Sequence, residues 1–458
     1  MYESSWVYDE LSNVAIKDKR LVNRLIKTAV KLAEHPHCSI PEACGKWAEA
    51  KGTYRLLNNP KLSPEAVIMS HRQQTIRRMK GHKIVLDIQD TTSLDYADHP
   101  CTEGLGLYST SEDSKGILLH TSLAVSVTGV SFGLLSQKFW TRDPEERGKK
   151  HNRHKSDTKD KESQRWLDSL DSSLKDIPSD IKVVTVCDRE ADIYDFFNKA
   201  VSEGKDLLIR VAQNRKIEEE HKYLIPQIES SSIAGETIVN IPRNIKNKRP
   251  SREARLSIKF CPVTIKPPKN RKDAKALSSL QLYAILAEEI NPPEGVEPVY
   301  WLLLTTLPIE TAEDAIEKIA WYTQRWKIER FHYILKTGCQ VEELQLETFE
   351  RLKNAIAIYS VIAWRLLWLT YEARENPDAP CDTVLQEHEW NSLYCMVNKT
   401  PIPPKTPPNL KEAVLLIAKL GGFLARKSDG EPGVVVLWRG MQRLNDISQL
   451  WLITHPSP

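Results

Sequence analysis

The chain has 458 residues, 41% of them hydrophobic and 27% charged, enough apolar material for two or three domains with cores of ordinary size. No apolar run approaches the roughly 20 residues that cross a bilayer, and the opening MYESSWVYDELSNV lacks a signal-peptide layout, so a soluble cytoplasmic protein is expected. A formal charge of +3 is too mild to establish a nucleic-acid partner, and eight scattered cysteines without a CxxC pair exclude zinc-finger and disulfide scaffolds; they read as reduced, mostly buried thiols.

Residues from about 17 to 80 read as helical. KRLVNRLIKTAVKLAEH has an amphipathic period, Ser39 with Glu42 forms a capping-box signal, and Ser63-Pro64-Glu65 opens a further helix. The cations Lys51, Arg55, Arg72, Arg77 and Arg78 in this segment read either as solvated surface or as contacts to a DNA backbone.

At Lys83 the character changes. KIVLDIQDTT, ILLHTSLAVSV and VSFGLLSQKFW read as strands, the last two joined by a turn at Thr128-Gly129. DPEERGKKHNRHKSDTKDKES is a mixed-charge segment expected to be exposed and mobile, ending where Trp166 and Leu167 begin a helix. KVVTVCDREADIYDFF then reads as an apolar strand running into a helix, an order that predicts a mixed α/β sheet. Between Asp188 and Glu329 the chain looks β-rich. Its connections carry Arg243, Lys246, Lys248, Arg249, Arg252, Arg255, Lys259, Lys266, Lys269, Arg271 and Lys272, which suit a phosphate-tracking groove better than a merely solubilising surface.

A long helix follows, opened by Thr311 with Asp314 and stopped at Gly338. At about 100° per residue, Tyr322, Arg325, Glu329, His332 and Lys336 fall within a sector roughly 80° wide, opposite Ile328, Phe331, Ile334 and Leu335. LKNAIAIYSVIAWRLLWLTYEAR is apolar nearly all round and predicts a buried helix. The Pro-rich linker NKTPIPPKTPPN leads to a final helical segment that needs a partner surface.

Asp90 in VLDIQDTTS and Asp188 in VTVCDREAD sit where strands end. Strand-end carboxylates facing a third on a nearby helix can hold two divalent cations about 4 Å apart for phosphoryl transfer, and hard oxygen donors suit Mg²⁺ or Mn²⁺. Taken singly, each aspartate reads first as a turn or helix cap. Asp87 and Asp192 are decoys of the same kind; strand alternation turns Asp87 to the face opposite Asp90.

Taken together, IQDTTS, VCDREADIY and the spacing Tyr322-x2-Arg325-x3-Glu329-x6-Lys336 resemble the DDE transposases of the insertion sequence four family, in particular the transposon five type. TYRLLNNPKLSPEA, LAEEINPPEG, WLLLTT and IAKLGGF extend the resemblance over nearly the whole chain. The resemblance implies an α/β protein with a ribonuclease-H-like catalytic core. A helical DNA-end-binding domain would span 1–80, the core 81–373 with a β-rich insertion at about 205–310, and a linker with a helical dimerisation region 374–458. It further implies that Asp90, Asp188 and Glu329 bind two Mg²⁺ ions, with Mn²⁺ able to substitute, and that Tyr322, Arg325, Lys336 and Arg210 contact DNA. Trp301 would receive a flipped base, while His332 falls outside the motif. The activity implied is cut-and-paste transposition of an insertion sequence by hydrolysis, hairpin formation and strand transfer. The enzyme would act on transposon ends and target DNA as a DNA-bound homodimer associated with a bacterial nucleoid. The competing readings are a plain metal-dependent nuclease and a catalytically silent DNA-binding derivative.

Overall fold

The computed structural model of the protein describes residues 5–109, 111, 113–143, 162–241, 251–269, 276–426 and 429–455. Its N-terminal helices are α1 (Trp6–Leu11), α2 (Lys19–Glu34), α3 (Ile40–Cys44), α4 (Trp47–Leu57) and α5 (Pro64–Met79). Side-chain oxygens of Asp18, Ser39 and Ser63 accept backbone N–H groups at the starts of α2, α3 and α5, satisfying donors that a helix end leaves unpaired. Leu25, Ile26, Ala29 and Leu32 form the buried stripe of α2.

The first sheet strands are β1 (Ile84–Asp95), β2 (Gly106–Leu107), β3 (Lys115–Ser126) and β4 (Ser131–Trp140). Gly129 turns the β3–β4 hairpin with φ +106°, a conformation that glycine adopts without strain, and Ser126 Oγ accepts the N–H groups of Gly129 and Val130. Then come α6 (Gln164–Leu174), β5 (Lys182–Cys187), α7 (Tyr194–Glu203), β6 (Asp206–Arg210) and α8 (Leu224–Glu229). The insertion supplies β7 (Gly235–Ile241), β8 (Arg252–Ile265), β9 (Leu280–Glu289) and β10 (Tyr300–Thr305).

Among the described residues, all ten strands belong to one sheet, ordered β2-β3-β1-β5-β6-β10-β9-β8-β7 with β4 beside β3. β1, β5 and β6 run parallel, whereas β3 and β4 on one side and β10, β9, β8 and β7 on the other are antiparallel to their neighbours. β6, expected at the start of the insertion, instead pairs in parallel with β5, and β7 to β10 prolong the same sheet, joined through β10 to β6. β3 is buried along nearly its whole length, as expected of a central strand covered on both faces.

The expected single helix over 311–338 is two helices, α9 (Ala312–Thr323) and α10 (Trp326–Tyr333), followed by a π turn at Ile334–Gly338. Its start is the predicted one: Thr311 and Asp314 cap each other reciprocally. The next helix, α11 (Phe349–Glu375), is long and apolar enough to cross a membrane, contrary to the expectation that no segment is. However, 78% of its apolar window is buried in the fold, which makes it a core helix.

α12 (Glu387–Asn398), α13 (Leu410–Leu420) and α14 (Val434–Thr454) pack on the end of α11 through Leu369, Trp390, Leu393, Leu416, Leu437 and Leu444. α12 is a separate helix before the Pro-rich linker. The linker is itself tied down, since Pro408 O accepts from Cys381 N at 2.9 Å. α14 also reaches α2, where Asn445 Nδ2 donates to Glu34 O at 2.7 Å.

Candidate active site

β1 and β5 lie side by side in parallel register, and Asp90 and Asp188 each follow the last matched pair, Gln89 and Cys187. Asp188 thus stands just past the end of β5, whereas Asp90, expected at a strand end, lies within β1, which runs on to Asp95 paired with β3; the two carboxylates emerge together where the parallel β1–β5 pairing stops. Asp90 Oδ1 accepts the N–H of Thr91 at 2.8 Å, and Asp188 Oδ1 accepts that of Glu190 at 2.9 Å, capping the short 3-10 turn Arg189–Ala191. Glu329 stands in the first turn of α10, the helix that packs over β1.

The charges accumulate where water is scarce. Burial, then repulsion from Asp188 with a further contribution from Glu329, pushes the Asp90 carboxyl up to about 7, while Arg325 and the Thr91 N–H oppose the rise. Glu329 remains 54% exposed and accepts from Arg325 Nη2 at 2.6 Å. Among the described residues no three His, Cys, Asp or Glu side chains converge as a ready metal cluster. The donor set fits Mg²⁺ or Mn²⁺ in chemistry and charge, with Glu329 held off by its ion pair to Arg325.

The residues flanking Glu329 lie deeper than a DNA-contacting stripe suggests. Tyr322 is 2% exposed and Trp301 6% exposed; their rings meet edge to face at 5.4 Å, with Trp326 closing the far side of Trp301 at 6.4 Å. Trp301, expected to offer an indole face to a base, is packed in the core in this conformation. Burial raises the Tyr322 hydroxyl's pKa, opposed by Arg325 and Arg210. Arg210 donates to Tyr300 O at 3.0 Å, and its buried Nε has no hydrogen-bond partner. Burial works against the charge of Arg325, yet Tyr322, Glu329 and Asp90 around it hold its guanidinium above the ordinary value. Lys336 lies on the π turn and pairs with Glu342 at 3.2 Å. His332 is buried 4.0 Å from Asp90 Oδ2; burial, then Lys336, pushes its pKa down to about 3.

The decoys are structural. Asp87 is buried on the other face of β1, where Gln89, Ser122, Ser173 and Thr185 donate to it, and burial raises its pKa. Asp192 accepts from the N–H groups of Ala212 and Gln213 and from Arg215.

Two of the N-terminal cations expected on a DNA face are internal. Arg72, 2% exposed, donates to the Ser173 and Lys175 carbonyls, and Arg78 pairs with Glu10 and lies 4.1 Å over the Trp364 ring. Lys51, Arg55 and Arg77 are exposed. In the insertion, Arg252 pairs with Glu289, Arg255 with Glu236, and Lys259 donates to Glu229 O, so these three serve the sheet itself rather than an open groove. Lys266 and Lys269 are exposed. Arg243, Lys246, Lys248, Arg249, Arg271 and Lys272, like most of the mixed-charge segment after Trp140, lie outside the described residues.

The grouping of Trp301 with Tyr322 and Trp326 was not foreseen. The i, i+4 pair Tyr322 and Trp326 was legible as a helical neighbour pair, whereas the arrival of β10 beside it was not.

Three family models match the chain: transposase DNA-binding over residues 3–62, transposase DDE domain over 150–366, and transposase Tn5 dimerisation domain over 361–449. Asp188 and Glu329 fall within the DDE match, and Asp90 precedes it. Among solved structures, the chain is similar to piggyBac transposase in its synaptic complex with hairpin DNA. The TM-score is 0.36 at 8% identity, over 99% of this chain and 78% of that one, too distant a likeness to argue from.

Proposed function

Because this chain belongs to the DDE transposases of the Tn5 type, we propose that Asp90, Asp188 and Glu329 form the acid triad with which it cuts and joins DNA. The observation that carries this reading is the crowding of the buried Asp90 by Asp188 and Glu329, opposed by Arg325 and the Thr91 N–H. Two Mg²⁺ ions, or Mn²⁺ in their place, held by the triad would supply activation of the attacking oxygen and stabilisation of the leaving one. The strand order β4-β3-β1-β5-β6, with β1, β5 and β6 parallel, supports a ribonuclease-H-like core beneath the site.

The chain's own residues do the gripping and positioning. Arg325, released from Glu329, presents a planar donor fork to a phosphate, and Lys336, released from Glu342, a point charge. Glu329 and Glu342 are each partly exposed, so water can solvate the carboxylate that the cation leaves. Tyr322 and Arg210 back Arg325 from the buried side, and Trp301 holds Tyr322; exposure of its indole on DNA binding would let it receive an unstacked base. A first hydrolysis frees a 3′-hydroxyl at the element's end, which attacks the opposite strand to give a hairpin. Hydrolysis reopens the hairpin, and the same hydroxyl joins target DNA. Each step is an in-line displacement at phosphorus, so one site serves all of them.

The partners in this reading are transposon ends and target DNA in the cytoplasm. Residues 1–80 bind the ends and the region after 373 pairs two copies on DNA. The test is cleavage of linear DNA carrying the element's terminal sequence, with Mg²⁺, comparing intact protein with Glu329→Ala on a denaturing gel. Hairpin-ended products absent from the variant are expected. Binding without cleavage by the intact protein would leave a DNA-binding derivative, and nicking without hairpins a plain nuclease.

A further inference from the structure

Beneath the acid pair, on the face of β1 away from α10, a single arginine touches the segments that carry both aspartates. Arg165, in the first turn of α6, donates from Nε to Thr91 Oγ1 at 3.0 Å and from Nη2 to Glu190 Oε2 at 2.6 Å. A third donor, Nη1, meets Glu162 O at 3.1 Å. The backbone N–H of Thr91 is bonded to Asp90 Oδ1, and the backbone N–H of Glu190 to Asp188 Oδ1. The guanidinium thus reaches each carboxylate through one intervening residue, Thr91 next to Asp90 and Glu190 two places after Asp188.

The surroundings fix the arginine itself. Its side chain is 12% exposed, and its guanidinium lies 5.3 Å from the Trp166 ring centre and 5.8 Å from that of Trp140. Thr91 Oγ1 also bonds His120 Nδ1 at 2.9 Å, and His120 Nε2 meets Gln89 Oε1 at 3.3 Å, so the β1 end of the bridge is anchored. The Glu190 end is 61% exposed and would drift with the loop after β5 if nothing held it. A planar fork with several donors suits such a bridge; a lysine would reach one partner at a time.

We infer that Arg165 is a positioning residue which sets the separation and aim of Asp90 and Asp188 by clamping Thr91 to Glu190 from the far side of the sheet. This rests on the triad reading above. Residues that orient metal-binding side chains typically matter by about 10–100-fold in metal affinity, and the clamp belongs to that class.

The test uses full-length protein without DNA and follows the rise in Tm as Mn²⁺ is added, from which an apparent affinity is read. Arg165→Lys keeps the charge without the fork. Thr91→Val puts a methyl in place of the hydroxyl, cutting its bonds to Arg165 and His120, and guards against a variant that misfolds for loss of the arginine stem. Both are expected to weaken apparent Mn²⁺ affinity by about 10–100-fold, while binding to end DNA in chelator stays as in the parent. Affinity within about threefold of the parent in both variants would overturn the clamp and leave the triad standing. Absence of any saturable rise in the parent, equal to that of Asp90→Asn, would sink the triad reading and the clamp with it.

Discussion

Replacing Asp90 with asparagine is expected to stabilise the metal-free protein at neutral and alkaline pH. In the fold, burial and the neighbouring Asp188 and Glu329 lift the Asp90 pKa from 3.8 to about 7. A carboxyl with a raised folded pKa binds its proton more tightly when folded, so its favourable contribution is complete below pH 3.8 and is lost as pH climbs through 7. A shift of about three units corresponds to about 4 kcal/mol. Since the side chain is 18% exposed, solvent relieves part of this, and the gain for Asp90→Asn at pH 8 should be about 2–4 kcal/mol. Urea unfolding in chelator, followed by tryptophan fluorescence, measures it. The gap should shrink on acidification and close near pH 4. A difference that is constant with pH, or a variant less stable at pH 8, would refute the electrostatic reasoning. Adding Mn²⁺ should reverse the order, stabilising the parent and not the variant.

Glu10 is buried between His71 and Arg78, and although burial opposes it, these partners bring its pKa down to about 2. Its contribution is therefore present above the ordinary value of 4.5 and lost as pH falls toward 2; Glu10→Gln should cost about 3–5 kcal/mol in urea unfolding at pH 7, and a loss under about 1 kcal/mol would mean the pair carries little. Trp301→Ala should cost about 3–5 kcal/mol by the same measurement, with Trp301→Phe retaining most of it. An unchanged stability together with lost hairpin formation would instead mark the indole as a base-stacking surface alone. At Gly440 a Cβ would fall 1.9 Å from Ile417 O where α13 and α14 cross, so Gly440→Ala should destabilise by about 1–3 kcal/mol and raise protease sensitivity of the C-terminal helices.

Local chemistry made much of this legible. Thr311 with Asp314, Ser63 with Pro64, and Gly129 in its hairpin each specify geometry from neighbouring residues alone, and each is found where the sequence puts it. Alternation along β1 separated Asp90 from Asp87 for the same reason. What stayed hidden depends on partners far away in sequence. Arg72 and Arg78 read as surface cations because nothing local announces the Ser173 carbonyl or the Trp364 ring that receives them. The continuation of the core sheet into the insertion rests on Leu303 pairing with Arg210, a contact made across more than ninety residues. Arg165 carried no spacing signal at all, since its partners Thr91 and Glu190 come from the middle of β1 and from the turn after β5.

The stripe from Tyr322 to Lys336 gains its properties from where the helix departs from regularity. From Trp321 to Ile328 the backbone tightens: Arg325 N bonds Tyr322 O at 3.1 Å and Ile328 N bonds Arg325 O at 3.3 Å, each three residues back. At three residues per turn, side chains three apart eclipse, which sets Arg325 directly over Tyr322, its guanidinium 6.0 Å from that ring. At the other end the helix loosens, with Cys339 N bonding Ile334 O five residues back, and the wider turn carries Lys336 toward Glu342. A uniform helix would align these groups at one depth. The tightened turn and the π turn instead bury Tyr322 and His332, half-bury Arg325 and Lys336, and leave Glu329 in the open. In the proposed triad, Glu329, the carboxylate that would leave an ion pair to take a cation, is thereby the exposed one, while Tyr322 and Arg325 beside it are held by packing.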